Sequence, residues 1–307
     1  MTAAPEHVPV MMTEVMDALP LAPGGVAVDG TLGLAGHALE MAKRIQPDGL
    51  LIGLDWDKHM LTRAEGRLEG LRNLRIKLHH SDYRALADFV QQDCVEAGRE
   101  VGADAILMDL GVSNVHLEDS DRGFTFREDG PLDMRMDRSA GEPASALLNR
   151  AAAHEIENIL WNYGDERWAK RIAQTIVERR RTKPLRTTQD LADCVMAAIP
   201  AAKRDKRIHP ATRTFQAIRI AVNHELDSLD QAVSDAAGAL APGGVLAVLA
   251  YHSGEDRAVK QAMRAAAVTG EFEDLTRKPL GPSEAEVASN PKSRSAKLRL
   301  LKRKENP

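Results

Sequence analysis

Val26-Ala-Val-Asp29-Gly-Thr-Leu-Gly33-Leu-Ala-Gly36-His37 reads as a short apolar strand ending in a carboxylate, then a glycine-bearing turn, then the start of a helix. A second apolar run, Leu50-Leu-Ile-Gly-Leu-Asp55, ends in another carboxylate 22 residues after Gly33. Glycines at the end of the first strand let the backbone approach a ligand where a Cβ would collide. With an acid closing the next strand, this is the layout of a nucleotide-type cofactor site in an open α/β sheet. The order Asp29-x-x-x-Gly33-x-Ala35-Gly36 does not spell G-x-G-x-x-G. It is closer to the acidic-x-x-x-Gly-x-Gly pattern of S-adenosylmethionine (AdoMet) sites, in which Asp55 would accept from both ribose hydroxyls. No GxxxxGK[ST] stretch is present, which disfavours nucleotide hydrolysis.

The alternation continues outward from this stretch. Helical signals near Gly36–Arg44, Lys58–Gly70 and Tyr83–Glu96 separate strand signals at Leu50–Asp55, Leu74–His79 and Ala105–Asp109. Repeated βα units imply a parallel sheet with helices on both faces. After Asp109 the pattern stops. A charged, Gly- and Asp-rich loop runs from Gly111 to about Glu142, and helical patterns follow. Ile156, Ile159, Leu160 and Tyr163 share one face, as do Trp168, Ile172, Ile176 and Val177. Pro184 closes that helix. Thr188 is the expected N-cap of another helix, which carries Leu191, Cys194, Val195, Ala198 and Ile199 and is closed by Pro200. The sheet then resumes with a long helical pattern over Thr212–Leu240, a turn at Pro242-Gly-Gly, a strand at Val245–Tyr251, a helix near Glu255–Ala267 and a last strand at Lys297–Leu301. The expected organisation is an α/β domain over 1–115 and 210–307, interrupted by a helical insertion over 116–209.

Composition narrows the function classes. The chain has 307 residues, is 43% hydrophobic and only 4% aromatic. Cys94 and Cys194 stand apart with no CxxC partner, which suggests a reducing compartment and argues against a thiolate metal site. HExxH and similar spacings are missing, so no catalytic metal is expected. With no basic-then-apolar leader and no apolar run near the ~18 residues of a membrane helix, a soluble cytoplasmic protein is expected. The net charge of −4 conceals an asymmetry. Between Arg167 and Arg219 lie 14 Lys/Arg against 4 Asp/Glu, and a second basic cluster spans Lys292–Lys304. Concentrated positive charge on an otherwise acidic chain is the footprint of a nucleic-acid partner, although a solvated helical face gives the same composition. Arg179, Arg180, Arg181, Lys203, Arg204 and Arg207 are the candidate phosphate contacts.

Two further polar groups fall at strand ends. Asp109-Leu-Gly-Val-Ser113-Asn114 closes the fourth strand, where open α/β sheets place ligands. The Asp109 carboxylate could meet cofactor or substrate, or simply cap the next helix. Tyr251-His252-Ser253-Gly-Glu255-Asp256-Arg257 closes the fifth strand on the same edge, and His252 and Ser253 are candidate substrate contacts. Ser113 has no Gly-x-Ser-x-Gly elbow and no base nearby in sequence, which disfavours a serine nucleophile.

The chain resembles the RsmH (MraW) family of 16S ribosomal RNA cytosine-N4 methyltransferases. The resemblance rests on His7-Val-Pro-Val, Asp29-Gly-Thr-Leu-Gly, Gly36-His37, Asp109-Leu-Gly-Val-Ser, Arg122-Gly-Phe-Thr-Phe-Arg and Asp129-Gly-Pro-Leu-Asp-Met-Arg-Met-Asp137. It continues through Tyr163-Gly-Asp-Glu, Ala169-Lys-Arg-Ile-Ala, His209-Pro-Ala-Thr-Arg-Thr-Phe-Gln-Ala-Ile-Arg219, Tyr251-His-Ser-Gly-Glu-Asp-Arg257 and Arg294-Ser-Ala-Lys-Leu-Arg299, in order along nearly the whole chain. It implies a Rossmann-like class I AdoMet-dependent methyltransferase with an all-α inserted domain for RNA recognition, acting on a cytidine in the decoding (P-site) region of 16S rRNA in the small ribosomal subunit. The implied cofactor contacts are Ala35, Gly36, His37, Asp55, Tyr83, Asp109 and His116. Asp109 is also the candidate acceptor for a proton of the target amine. The chain departs from the family pattern in four places: Leu34-Ala35 within a run of glycines, Tyr83 for Phe, Ser113-Asn-Val-His116 for Ser-Ser-Pro-Gln, and Gly254 for Leu. The altered glycine run keeps a second reading open, a noncatalytic AdoMet- and RNA-binding ribosome-assembly factor. A DNA or small-molecule methyltransferase is a third, and the basic insertion disfavours a small substrate.

Overall fold

A computed structural model describes residues 9–205 and 207–305. Seven strands form one sheet: β1 (Val26–Asp29), β2 (Gly49–Asp55), β3 (Leu74–His80), β4 (Ala103–Asp109), β5 (Leu240–Ala250), β6 (Phe272–Asp274) and β7 (Lys297–Arg303), in the order β3-β2-β1-β4-β5-β7-β6. The first five are parallel. β7 runs antiparallel to both β5 and β6. The order reverses between β1 and β4, which is the topological switch point where ligands bind in such sheets. All four residues of β1 are buried, as a strand covered on both faces requires.

The chain divides into two compact units. The sheet unit runs to Gly111 and resumes at Ser228; the helical unit spans Val112–Asp227. The sheet core joins Ala27, Leu51, Ala105, Leu107, Ala247 and Leu249 with Ala38, Met41 and Ile45 of the Gly36–Ile45 helix. The helical core joins Leu148, Ile156, Leu160, Ile172, Ile176, Leu191, Val195 and Ile218. Among the described residues, no helix is long and apolar enough to cross a membrane.

Several sequence expectations shift. The Thr212–Leu240 pattern is two helices, Thr212–Asn223 and Leu229–Gly238, interrupted where His224 (φ 52°) and Ser228 (φ 55°) turn left-handed. The first packs Phe215, Ala217 and Ile218 into the helical core, so that unit extends to Asp227 rather than ending at 209. Thr187, not Thr188, is the N-cap: its hydroxyl accepts from the Asp190 N–H at 3.3 Å. The Pro242-Gly-Gly turn is an irregularity within β5, where the pairing with β4 skips from Leu240 to Val245.

The Arg122–Arg127 and Asp129–Asp137 runs brace the helical unit. Asn223 is 3% exposed. Its Oδ1 accepts from the Met136 N–H, and its Nδ2 donates to the carbonyls of Met134 and Arg219, all within 2.9 Å. The Arg122 guanidinium donates to the Arg135 and Met136 carbonyls. Met134 is fully buried and Met136 packs at the edge of the same core.

Candidate active site

Register assembles the carboxyl edge of the sheet. Asp29 pairs with Gly53 on one side and Leu107 on the other. β2 and β4 therefore each run two residues further, and Asp55 and Asp109 flank the loop that leaves β1. Backbone bonds tie this loop to both neighbours: Gly30 N–H donates to the Leu107 carbonyl and Leu32 N–H to the Leu54 carbonyl. Gly33 sits at φ 52° and its N–H donates to Asp55 Oδ2 at 2.7 Å; the Asp57 N–H donates to Oδ1 at 2.7 Å. Asp55 is thus fixed at the end of β2 by two backbone donors. Ala35 adopts φ 57°, ψ 31°, a left-handed conformation that favours glycine. That conformation costs about 1–2 kcal/mol, and the loop closes with it. Gly36 begins the helix against the Pro9 ring, which a Cβ would strike.

Thr31 joins β1 to β4. Its backbone N–H donates to Asp29 Oδ1 at 3.1 Å, and its Oγ1 accepts from the Asp109 N–H at 2.6 Å. Asp29 is 1% exposed. Burial above all pushes its carboxyl up to about 7, with the charges of Asp109 and Asp55 adding to the rise. His37 is also buried. Its Nε2 meets the Val10 carbonyl at 3.0 Å, and its Nδ1 lies 3.8 Å from Asp109 Oδ2. Burial pulls the imidazole down to about 4, so the ring is neutral at physiological pH. The Val10 carbonyl accepts only from a protonated Nε2, which leaves Nδ1 as the acceptor nitrogen facing Asp109. On the other side, the Tyr251 hydroxyl donates to Asp109 Oδ1 at 2.6 Å. Burial and then the Asp109 charge raise that phenol far above its ordinary range, so it is always a donor.

Tyr83 opens a single turn, Tyr83–Ala85, capped by Asp82. The Asp82 carboxylate grips Arg84 through Nε and Nη2 (2.9 and 2.6 Å), and Arg84 lies 5.4 Å over the Trp56 ring. His116 lies in the helical unit, 5% exposed, its ring 5.3 Å from Phe124. His252 is the N-cap of the Ser253–Val268 helix, with Nδ1 accepting from the Glu255 N–H at 3.3 Å. Ser253 is exposed in the first turn of that helix.

The sequence pointed to Asp55, Asp109 and His37; the structure sets Thr31 and Tyr251 against Asp109 and Trp56 directly after Asp55, and the sequence had marked none of these three as site residues. Trp56 carried a signal, since it directly follows Asp55, the candidate ribose-binding acid. Tyr251 lies 142 residues from Asp109, and only strand order brings the two together.

The site fits AdoMet. A Cβ built on Gly33 would meet nothing closer than 3.9 Å, so the turn is open to a ligand. The carboxylate at the end of β2 suits a ribose diol, and Asp109 with His37 offers acceptors to an amine. The sequence profile of the MraW methylase family matches residues 4–304. The chain belongs to that family. It is similar to the ribosomal RNA small subunit methyltransferase H of Citrifermentans bemidjiense, at 45% identity over 97% of this chain and 98% of that protein. Similarity to the Heliobacterium mobile protein of the same name is 44%, over 97% and 98%. Likeness to solved structures is weak: an rRNA methylase from Streptococcus thermophilus aligns at 11% identity and a TM-score of 0.37, over 95% of this chain and 93% of that one. Members of the MraW family are AdoMet-dependent methyltransferases, and this chain carries the corresponding Rossmann-like sheet.

The six candidate phosphate contacts of this MraW-family chain divide by what holds them. Arg180 donates to the Leu148 and Ala151 carbonyls (2.6 and 2.7 Å), and Arg204 to those of Met196 and Ile199 (2.7 and 3.2 Å); both close helix C-termini. Arg179 lies 3.5 Å from Asp190, and Arg207 pairs with Asp205. Among the described residues, the exposed Arg181 and Lys203 side chains have no such partner.

Proposed function

We propose that this chain transfers a methyl group from AdoMet to the exocyclic N4 of a cytidine in the decoding region of 16S rRNA, within the small ribosomal subunit. The observation that carries the reading is Asp109. It is anchored at the end of β4 by Thr31 and Tyr251 and stands beside the neutral His37, on the edge that also carries Asp55. AdoMet, when bound, supplies an electrophilic methyl on a sulfonium. Asp55 holds the ribose hydroxyls, and the backbone of Ala35 and Gly36 with His37 lines the methionine end. Tyr83 borders the adenosyl side. Cytosine N4 is a weak nucleophile because its lone pair is delocalised into the ring. The work of the protein is therefore alignment and exclusion of water. Asp109 accepts a hydrogen bond from the target amine and receives its proton as the nitrogen becomes tetrahedral. The helical unit, through Arg181 and Lys203 first and Arg179 and Arg207 second, binds RNA phosphates. His252 and Ser253 border the substrate side of the sheet unit.

The name shared by relatives at about 45% identity supports the rRNA substrate. The test is incubation with labelled AdoMet and small subunits lacking the modification, followed by mapping of the methylated nucleoside. Label on cytidine N4 is the expected result. Label on a carbon or on N3 overturns the chemistry. No transfer under conditions where AdoMet binds overturns the catalytic reading in favour of an assembly factor.

A further inference from the structure

Asp109 carries two oxygens with different surroundings. Oδ1 receives the Tyr251 phenol at 2.6 Å, while Oδ2 is turned toward His37 Nδ1 at 3.8 Å. The phenol is itself held. Tyr251 follows β5 directly, and its backbone N–H donates to Glu255 Oε2 at 2.8 Å, within the capping box of the next helix. Asp109 pairs with Leu249 across β4 and β5, so Tyr251 stands two residues beyond that level, beside the carboxylate.

We infer that Tyr251 is a positioning residue. Its hydroxyl fixes the Asp109 carboxylate so that Oδ2, on the His37 side, is the oxygen presented to an amine. The amine is either the ammonium of the methyl donor or the exocyclic amine of the target base. The inference rests on the amine-acceptor role proposed for Asp109. A phenol donating to a carboxylate does two things. It selects one rotamer, and it favours the ionised form. The Asp109 carboxylate is therefore held in one orientation, Oδ1 to the phenol and Oδ2 to the His37 side. The titratable groups around it are Asp29 at the end of β1, His37 on the Gly36–Ile45 helix and Tyr251 beyond β5, while Asp55 at the end of β2 acts on Asp29 from the other side. Glu255 and Glu286 act on Tyr251 by charge, and Glu286 on His37 as well. These groups are common to the wild type and the variants below, so a difference between the proteins isolates the phenol.

The experiment uses the full chain. Binding of S-adenosylhomocysteine is measured by calorimetry from pH 5 to 8, and methyl transfer to unmodified small subunits is measured at saturating AdoMet. Tyr251→Phe should move the acid limb of one of these profiles upward by about one pH unit, equivalent to about tenfold on that limb. A shift in the binding profile identifies the donor's ammonium as the amine; a shift in the transfer profile alone identifies the base. Replacing Tyr251 by 3-fluorotyrosine keeps the shape of the ring and strengthens the donor, and should move the same limb downward. This second variant also serves if Tyr251→Phe fails to fold. A loss equal at every pH, or no shift with either variant, overturns the assignment. Asp109→Asn separates the two levels of the argument. If it changes neither binding nor transfer, the amine-acceptor reading of Asp109 itself fails. If it impairs either one while the Tyr251 variants leave the profiles in place, only the positioning role fails.

Discussion

Two buried groups at the first βα turn should give this protein a pH–stability profile that looks flat for an unusual reason. Asp29 is held up at about 7 in the folded chain against an ordinary 3.8. Between these values the folded state keeps a proton that the unfolded state has lost. Stability therefore falls as the pH rises through that window, by about 1.36 kcal/mol per pH unit and about 4 kcal/mol in all. Beside it, His37 is held down at about 4 against 6.5. Here the unfolded state binds the extra proton, so stability rises with pH between 4 and 6.5, by about 3 kcal/mol. The two slopes have opposite sign over nearly the same window and largely cancel in the wild type. Asp29→Asn keeps an acceptor for the Thr31 N–H and removes only the first slope. The variant should gain on the wild type steadily from pH 4 to 7, by about 4 kcal/mol, and hold a constant difference above pH 7. Urea unfolding of both proteins at each pH, read as their difference, makes the measurement. Parallel profiles with a constant offset would refute the reasoning, because they would mean that Asp29 titrates alike in the folded and unfolded chain.

Charge reversal should separate the arginines by what they hold. Arg180→Glu or Arg204→Glu strips donors from helix-terminal carbonyls and should cost about 2–3 kcal/mol of stability, whereas Arg181→Glu or Lys203→Glu should leave the melting temperature in place. Each of the latter should weaken RNA binding more at low salt than at high, lowering the slope of log K against log salt by about one; equal loss at both salts counts against phosphate contact. Asp55→Asn retains an acceptor for one of the two backbone donors but loses the charge, and calorimetry should show about 10–100-fold weaker binding of S-adenosylhomocysteine. Unchanged affinity would remove the ribose assignment. Asn223→Ala should destabilise the helical unit by about 3 kcal/mol, seen as faster proteolysis within 112–227, with thermal protection by S-adenosylhomocysteine retained.

How much the sequence disclosed followed from how each feature is built. β1, β2 and β4 were legible because each is an apolar run ended by an acid, with Gly or charge beyond it. The break between Thr212–Asn223 and Leu229–Gly238 was not, because the left-handed residues there are His224 and Ser228 rather than glycine. Helical periodicity continues through such a break without any compositional mark. β6 is three residues long, too short for alternation to register. The surplus of positive charge between Arg167 and Arg219 was plain. Charge alone could not show that Arg180 and Arg204 serve main-chain carbonyls, since those carbonyls belong to turns that only the packed helical unit creates.

The candidate site shows the same division more sharply. Each of its acids could be found separately, as the last residue of a strand. Which acids adjoin depends on strand order, and that order is a property of the sheet. With β1 between β2 and β4, the loop after Asp29 is flanked by Asp55 on one side and Asp109 on the other. With β5 next to β4, Asp109 acquires a tyrosine from 142 residues away. At neighbouring strand ends, burial first and then the charges of Asp109 and Asp55 raise the proton affinity of Asp29. The arrangement is unfavourable for the chain alone and favourable for a ligand that carries positive charge. A sulfonium donor with an ammonium group meets that description, and its neutral demethylated product meets it less well. The electrostatics that make the edge costly to fold thus distinguish the donor from its product by the one charge that transfer removes.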